Sequence, residues 1–304
     1  MAEPSTRLHV LLARRSGRAV VFRRGPTDRV ALIAWDTDRH AFELGQWLHG
    51  RIYERRCDLS PSGELLVYFA ARHHGEHPTW TAVSRPPYLT ALAWWPKGDA
   101  WGGGGLFADE RTLELNHADR APAGDRPLPT DVRVRPFGTR PGRGEDMPVW
   151  WARLERDGWV RRQDGKAVAQ RFSAPVHWAF DPPAVWARTH RRWELQMLLS
   201  GVGERGGSWY VLEHRVLDRS GELVLDLGRT DWADWSRSGE LLFARDGRLY
   251  RTRPEPGAEP DELIDLRELR PTPLEPPPEA LGWRSPAPRG RRLPLSSSQP
   301  PRRL

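Results

Sequence analysis

Asp58-Leu59-Ser60-Pro61-Ser62-Gly63-Glu64-Leu65-Leu66 recurs as Asp234-Trp235-Ser236-Arg237-Ser238-Gly239-Glu240-Leu241-Leu242. The offset is 176 residues, or four steps of 44. In each copy Ser and Gly set a tight turn, and the apolar residues after it start a strand. A weaker copy, Asp218-Arg219-Ser220-Gly221-Glu222-Leu223-Val224, has the same form. A repeat of roughly 40–45 residues made of short strands and glycine turns is the signature of a β-propeller. Residues 5–269, divided by that step, give six units. The expected fold is therefore all-β: a single β-propeller of six four-stranded blades.

Working outward, strand text falls at residues 8–12, 19–23, 30–35 and 41–44, with turn text between. It continues at 52–59, 65–71, 80–84, 89–95, 105–107 and 112–115. Residues 118–147 are rich in Pro, Gly, Arg and Asp, lack periodicity and read as a long loop. Residues 149–154 and 159–162 read as strands around the Arg156-Asp157-Gly158 turn, and 173–192 favours neither period. Strand text resumes from 193 to 252. Residues 270–304 are Pro- and Arg-rich and are expected to be a disordered tail, because such text buries too little apolar surface to order itself. The expected division is a propeller at 1–269 and a tail at 270–304.

Composition agrees with many strands and turns: 304 residues hold 29 Pro, 28 Gly and 38% hydrophobic side chains. Cys57 is the one cysteine, so no internal disulfide can form. Met1-Ala2-Glu3-Pro4 has no basic leader character, and Val10-Leu11-Leu12-Ala13 is too short to span a membrane. A reducing cytoplasm without membrane contact is the expected setting. The net charge of +7 is unevenly spread. Residues 270–304 hold seven Arg and two Glu, a net of +5, which leaves about +2 for residues 1–269. Of 47 basic residues only Lys97 and Lys166 are lysine, which points in part to GC-rich coding. A nucleic-acid-binding domain concentrates a basic face on its folded body. Here nucleic-acid contact is expected only through the tail.

The stretch 232–244, Trp-Ala-Asp-Trp-Ser-Arg-Ser-Gly-Glu-Leu-Leu-Phe-Ala, resembles the blade repeat of TolB-like β-propellers, roughly aromatic-Ser-Pro-Asp-Gly and then an apolar strand. Residues 58–68 are the cleaner copy, keeping Ser60-Pro61 and Gly63. Ser62 and Ser238 stand where the usual Asp would be, and Arg237 replaces Pro. The resemblance covers two units clearly. The chain also resembles an uncharacterised bacterial propeller family marked by Gly-Arg-Ile-Tyr-Glu-Arg-Arg at 50–56 and Gly-Asp-Ala-Trp-Gly-Gly-Gly-Gly-Leu-Phe at 98–107, with no established activity. The TolB-like resemblance implies a six-bladed fold and protein recognition, and brings no catalytic residues with it.

Several motifs invite chemistry. His73-His74-Gly75-Glu76-His77 matches H-x-x-E-H, but that metallopeptidase motif needs a helix to bring both histidines to one face. Gly75 and Pro78 instead mark a solvated hairpin tip, with an adventitious divalent metal on His73, His74 and His77 as the alternative. Gly201-Val202-Gly203-Glu204-Arg205-Gly206 matches G-x-G-x-x-G but precedes strand text, so a hairpin turn is expected rather than a dinucleotide site. Gly102 to Gly105 could cradle an anion with backbone N–H groups, or serve close packing. No Gly-x-Ser-x-Gly elbow occurs, and Cys57 is expected to be buried and inert. The sixteen tryptophans are expected mainly to fill inter-blade space, with Trp95 and Trp235 among those at inner-strand ends. Arg55, Asp58, Asp99, Asp231 and Asp234, with Trp95 and Trp235, are the candidates expected at the central channel or its mouth.

The expected function is that of a non-catalytic interaction module binding a protein partner through loops including 85–104 and 118–147, without a cofactor. The alternative is an enzyme or a small-ligand or metal binder using the channel mouth. A second alternative is nucleic-acid contact by the Arg-rich tail.

Overall fold

The computed structural model describes residues 6–25, 28–124, 127–168, 174–255 and 257–283. These residues form five sheets, each built from strands near one another in sequence. The first contains β1 (Arg7–Leu12), β2 (Arg18–Arg24), β3 (Arg29–Asp36) and β4 (Ala41–His49). The second contains β5 (Arg51–Ile52), β6 (Asp58–Leu59), β7 (Leu66–Ala71), β8 (Thr79–Ser84) and β9 (Ala93–Lys97). The third contains β10 (Gly105–Phe107), β11 (Thr112–Leu115) and β12 (Arg133–Pro136), and helix α1 (Met147–Arg156) follows it. The fourth contains β13 (Val160–Gln163), β14 (Ala167–Val168), β15 (Val176–His190), β16 (Trp193–Glu204), β17 (Tyr210–Leu217) and β18 (Leu223–Arg229). The fifth contains β19 (Trp232–Trp235), β20 (Leu241–Arg245), β21 (Arg248–Thr252) and β22 (Asp261–Asp265). Ladders are antiparallel except β11–β12, which is parallel. The described residues are thus all-β apart from one α-helix and short 3-10 turns.

The sheets pack face to face. Ala-Val-Val-Phe in β2 and Val-Ala-Leu-Ile in β3 are buried continuously rather than alternately, as expected for strands covered on both faces. Val20, Phe22 and Leu32 pack on Leu66, Tyr68 and Ala70 of the second sheet. The opposite face, Val21, Ile33 and Trp35, packs on Leu242, Ala244 and Leu249 of the fifth. Val67, Val83 and Trp95 join Phe107, Leu113 and Leu115 between the second and third sheets. Trp150 and Leu154 of α1 join Trp186, Leu195 and Met197 of the fourth sheet and Leu241 and Phe243 of the fifth.

The two strong repeat copies fold alike. Ser60 Oγ accepts the Leu65 N–H, Gly63 N–H donates to the Ser60 carbonyl, and Gly63 has φ +75°. In the second copy Ser236 Oγ accepts the Glu240 N–H, and Gly239, with φ +87°, donates to the Ser236 carbonyl. Each turn leads from the short first strand of its hairpin (β6, β19) into a buried one (β7, β20). The third copy differs in position: Asp218 and the exposed Gly221 turn β17 into β18, the last strand of the fourth sheet.

Three expectations need correction. Five sheets stand where repeat arithmetic gives six units, because the fourth sheet takes all of 160–229 in one long hairpin system. Residues 149–154, read as a strand, are helical: Pro148 sits in the first turn, where its missing N–H costs nothing, and Val149, Trp150, Arg153 and Leu154 form a buried stripe at helical spacing. Residues 270–283 do not extend freely from the body. Gln46 Nε2 donates to the Leu274 carbonyl, Arg85 donates to the Gly282 and Trp283 carbonyls, and Trp283 packs beside the cluster of the second and third sheets. The remainder of the expected tail, residues 284–304, lies outside the described residues. No described helix is long and apolar enough to cross a membrane.

Candidate functional site

A cavity of about 380 Å3 opens where β1, β6, α1, the fourth sheet and β19 converge. Five of the seven proposed channel residues line it: Arg55, Asp58, Asp231, Asp234 and Trp235. Two do not. Trp95 is 1% exposed between the second and third sheets, its Nε1 donating to the Arg120 carbonyl. Asp99 is exposed and pairs with Lys97 at 2.6 Å. Further charge comes from residues outside that set: Arg153 and Arg156 on α1, Asp157 just after it, Arg188 on the fourth sheet, and Arg14, Arg18 and Arg237.

Each acidic group here has a defined partner. Arg156 grips Asp58 with both amino groups, at 2.5 and 2.9 Å, and also holds Asp157 at 2.9 Å. Asp58 Oδ2 further accepts the Phe107 N–H at 2.8 Å, so one carboxylate ties the second sheet, the third sheet and α1 together. These contacts hold the Arg156 guanidinium firmly in its charged form against burial. Arg188 meets Asp234 at 2.5 Å; burial still pushes the Asp234 pKa up. Asp231 accepts the Leu8 N–H at 3.2 Å, linking the fifth sheet to the first, and burial pushes its pKa up to about 6.

The bases are disfavoured as proton carriers. Burial, aided by Arg55 and Arg153, holds His9 well below its usual pKa, and its Nδ1 is buried without a hydrogen-bond partner. His214 is lowered to about 3 by burial and Arg55, with its Nδ1 2.6 Å from Thr230 Oγ1. Arg55 lies over the Trp150 and Tyr210 rings at 4.7 and 4.2 Å, a cation–π arrangement.

Arg153 is the exceptional cation. It is 6% exposed, and its guanidinium donates to the Glu54 and Cys57 carbonyls and lies 3.3 Å from His9 Nε2. Among the described residues it forms no ion pair; Asp58 and Asp157 act on it only from a distance, and burial lowers its pKa. Burying a charge with neutral partners alone is costly. Arg14 is similar, donating to the Phe107 and Ala108 carbonyls with its Nε buried and unpartnered.

Other motifs are structural. His73, His74 and His77 lie exposed on the β7–β8 turn and do not converge. His77 packs edge-on against Trp94 at 5.0 Å. Among the described residues no group of three His, Cys, Asp or Glu side chains is arranged to hold a metal ion, and an exposed two-strand tip does not supply the helical face that H-x-x-E-H needs. The Gly102 to Gly104 amides are spent on Gly144 O, Asn116 O and Thr81 Oγ1, so no anion cradle remains. The 201–206 stretch ends β16 and turns toward β17, and Cys57 is fully buried with its pKa pushed up by burial. Of the loops expected to form a binding surface, 85–104 is largely tied down through Leu89, Leu92 and Gly102 to Gly104, whereas 118–141 stays mostly exposed.

No protein-family model matches this chain, and no curated protein matches it.

Asp231 supplies a direct test of this electrostatic description. Its folded pKa, about 6, lies above the value near 3.9 of an unfolded Asp. Protons are therefore bound more tightly in the folded state, and this group's contribution to stability falls as pH rises from about 4 to 6. Asp231→Asn keeps an acceptor for Leu8 and removes the buried charge. It is expected to gain about 1–2 kcal/mol over the wild type at pH 7.5 and nothing at pH 4. Thermal melts at the two pH values measure it; an equal effect at both would refute the assignment.

Proposed function

We propose that the five sheets are blades of a β-propeller resembling the TolB-like class, and that its central cavity binds a small organic acid without transforming it. The packing of the first sheet on the fifth supports the propeller reading. The observation that carries the ligand reading is Arg153: a buried guanidinium on the cavity wall with carbonyl and imidazole partners only. The four Asp of the wall are engaged already, three by arginine and Asp231 by a main-chain N–H. A carboxylate entering the cavity gives Arg153 its missing counter-charge, while Trp150, Trp232 and Trp235 offer apolar surface to its body. A cavity of about 380 Å3 falls within the range of small-molecule sites, roughly 300–1,000 Å3.

The experiment is a thermal-shift screen of the full chain against small mono- and dicarboxylic acids. A binder present at 100 times its Kd adds about 2.7 kcal/mol, and Arg153→Met is expected to fold yet lose that gain. A screen with no shift, or a shift untouched by Arg153→Met, would remove the reading.

A protein-docking role is the second reading. It is favoured by Trp178 and Trp209, 54% and 38% exposed near the same end of the β15–β17 system. A partner recovered with the wild-type chain and lost with Trp178→Ser would support it.

A further inference from the structure

A second recess lies behind the cavity. His9, Arg55 and Asp231 line both, so the two stand back to back across these three side chains. The second recess measures about 40 Å3. At the ~10–15 Å3 an ordered water needs, it holds roughly three waters or one tetrahedral oxyanion.

Its walls are strongly cationic. Arg7 and Arg24 stand opposite each other on the β1–β2 ladder, and Arg51 opens β5 beside them. Burial lowers the Arg24 pKa; the nearby Glu54 carboxylate opposes that, while Arg51 and Arg7 add to it. Arg51 lies over Tyr53 at 4.4 Å, and its Nε is buried without a hydrogen-bond partner. Arg55, 8% exposed, has an Nε in the same condition. The carboxylates of the recess already have partners, Glu54 within the recess itself. Glu54 pairs with Arg55 at 3.1 Å, and Asp146 is held by Arg56 at 2.6 Å and by the Tyr210 hydroxyl. Asp231 accepts from Leu8. Glu204, which acts on Arg7 from outside the recess, pairs with Arg229 at 2.9 Å. Among the described residues Arg7, Arg24 and Arg51 form no ion pair.

We infer that this recess is an oxyanion site whose ligand is the phosphate of a small phosphomonoester. Several guanidinium groups converge with donors to spare, and a phosphomonoester brings close to two negative charges with three acceptor oxygens, where a carboxylate brings one charge and two oxygens. The size of the recess admits the headgroup alone. Ser208 and the partly exposed Trp209 stand at its edge to meet the rest of the molecule. This site is independent of the organic-acid reading, because Arg153 lines only the first cavity.

The test is calorimetric titration of the full chain at low salt with inorganic phosphate and, at matched ionic strength, acetate. Phosphate is expected to bind at least about 10-fold more tightly than acetate, a difference of about 1.4 kcal/mol or more. Arg24→Gln with Arg51→Gln should weaken phosphate at least 10-fold. These rim arginines are half-buried, so the fold should persist; if the double variant melts early, Arg7→Gln, at the first residue of β1, reads the same site. Absence of phosphate binding, parity with acetate, or indifference to all three rim substitutions would overturn the inference. A parallel arm uses vesicles containing phosphatidic acid. Binding to these without binding to inorganic phosphate would overturn the small-molecule source.

Discussion

Asp58→Ala is expected to cost about 3–5 kcal/mol of folding stability, the range for removing one partner of a buried ion pair. Asp58 and Arg156 have side-chain exposures of 4% and 20%. Without Asp58, Arg156 retains Asp157 and a long bond to the Phe107 carbonyl, and the buried Phe107 N–H loses its acceptor. The loss should fall almost wholly on the junction of the second sheet, the third sheet and α1. Urea unfolding measures the effect. A loss below about 1 kcal/mol would mean that the pair behaves as a surface bridge does. Asp58→Ala combined with Arg156→Met should recover part of the loss, because the stranded cation is gone.

Gly104→Ala should be comparably severe for a steric reason. Gly104 has φ +74°, and an added Cβ would lie 2.0 Å from the Arg56 carbonyl oxygen and 2.7 Å from Arg56 Cβ. Left-handed backbone at a non-glycine residue costs of order 1–3 kcal/mol, and forcing a methyl into a packed site costs a similar amount. The sum, about 2–6 kcal/mol, is expected as a lower urea midpoint. Gly75→Ala is the control: its φ is +83°, but nothing lies within 4 Å of the added Cβ. If the two variants lose equal stability, the clash with Arg56 is irrelevant and backbone strain alone acts.

The parts of this fold that sequence reveals are those written locally. The Ser60-to-Gly63 and Ser236-to-Gly239 turns are set by side chains bonding their own neighbouring backbone, so similar text gives similar turns. Asp58, Asp231 and Asp234 reach the cavity because each sits at a fixed place relative to such a turn or its hairpin. Helix α1 was hidden by Trp150-Trp151, which suits a strand as well as a helix; the spacing of residues 149, 150, 153 and 154, with Pro148 ahead of them, was the available signal. With α1 unrecognised, Arg153 and Arg156 had no reason to face the site. The count of six failed because β15 and β16 are far longer than the other strands, and a constant step cannot register that. Residues 274–283 are held largely through main-chain carbonyls, which every residue possesses and no composition discloses.

The contact between the first sheet and the fifth has a consequence for synthesis. Val10, Val21, Ile33 and Trp35 are covered by Leu242, Ala244 and Leu249, and about 200 residues separate Trp35 from Leu242. At 5–20 residues per second, a ribosome needs roughly 10–40 s to cross that interval. Through that time the nascent chain shows a bare apolar sheet face to the surrounding medium. Its hold on solubility in those seconds rests on whatever shields that face before the last strands emerge.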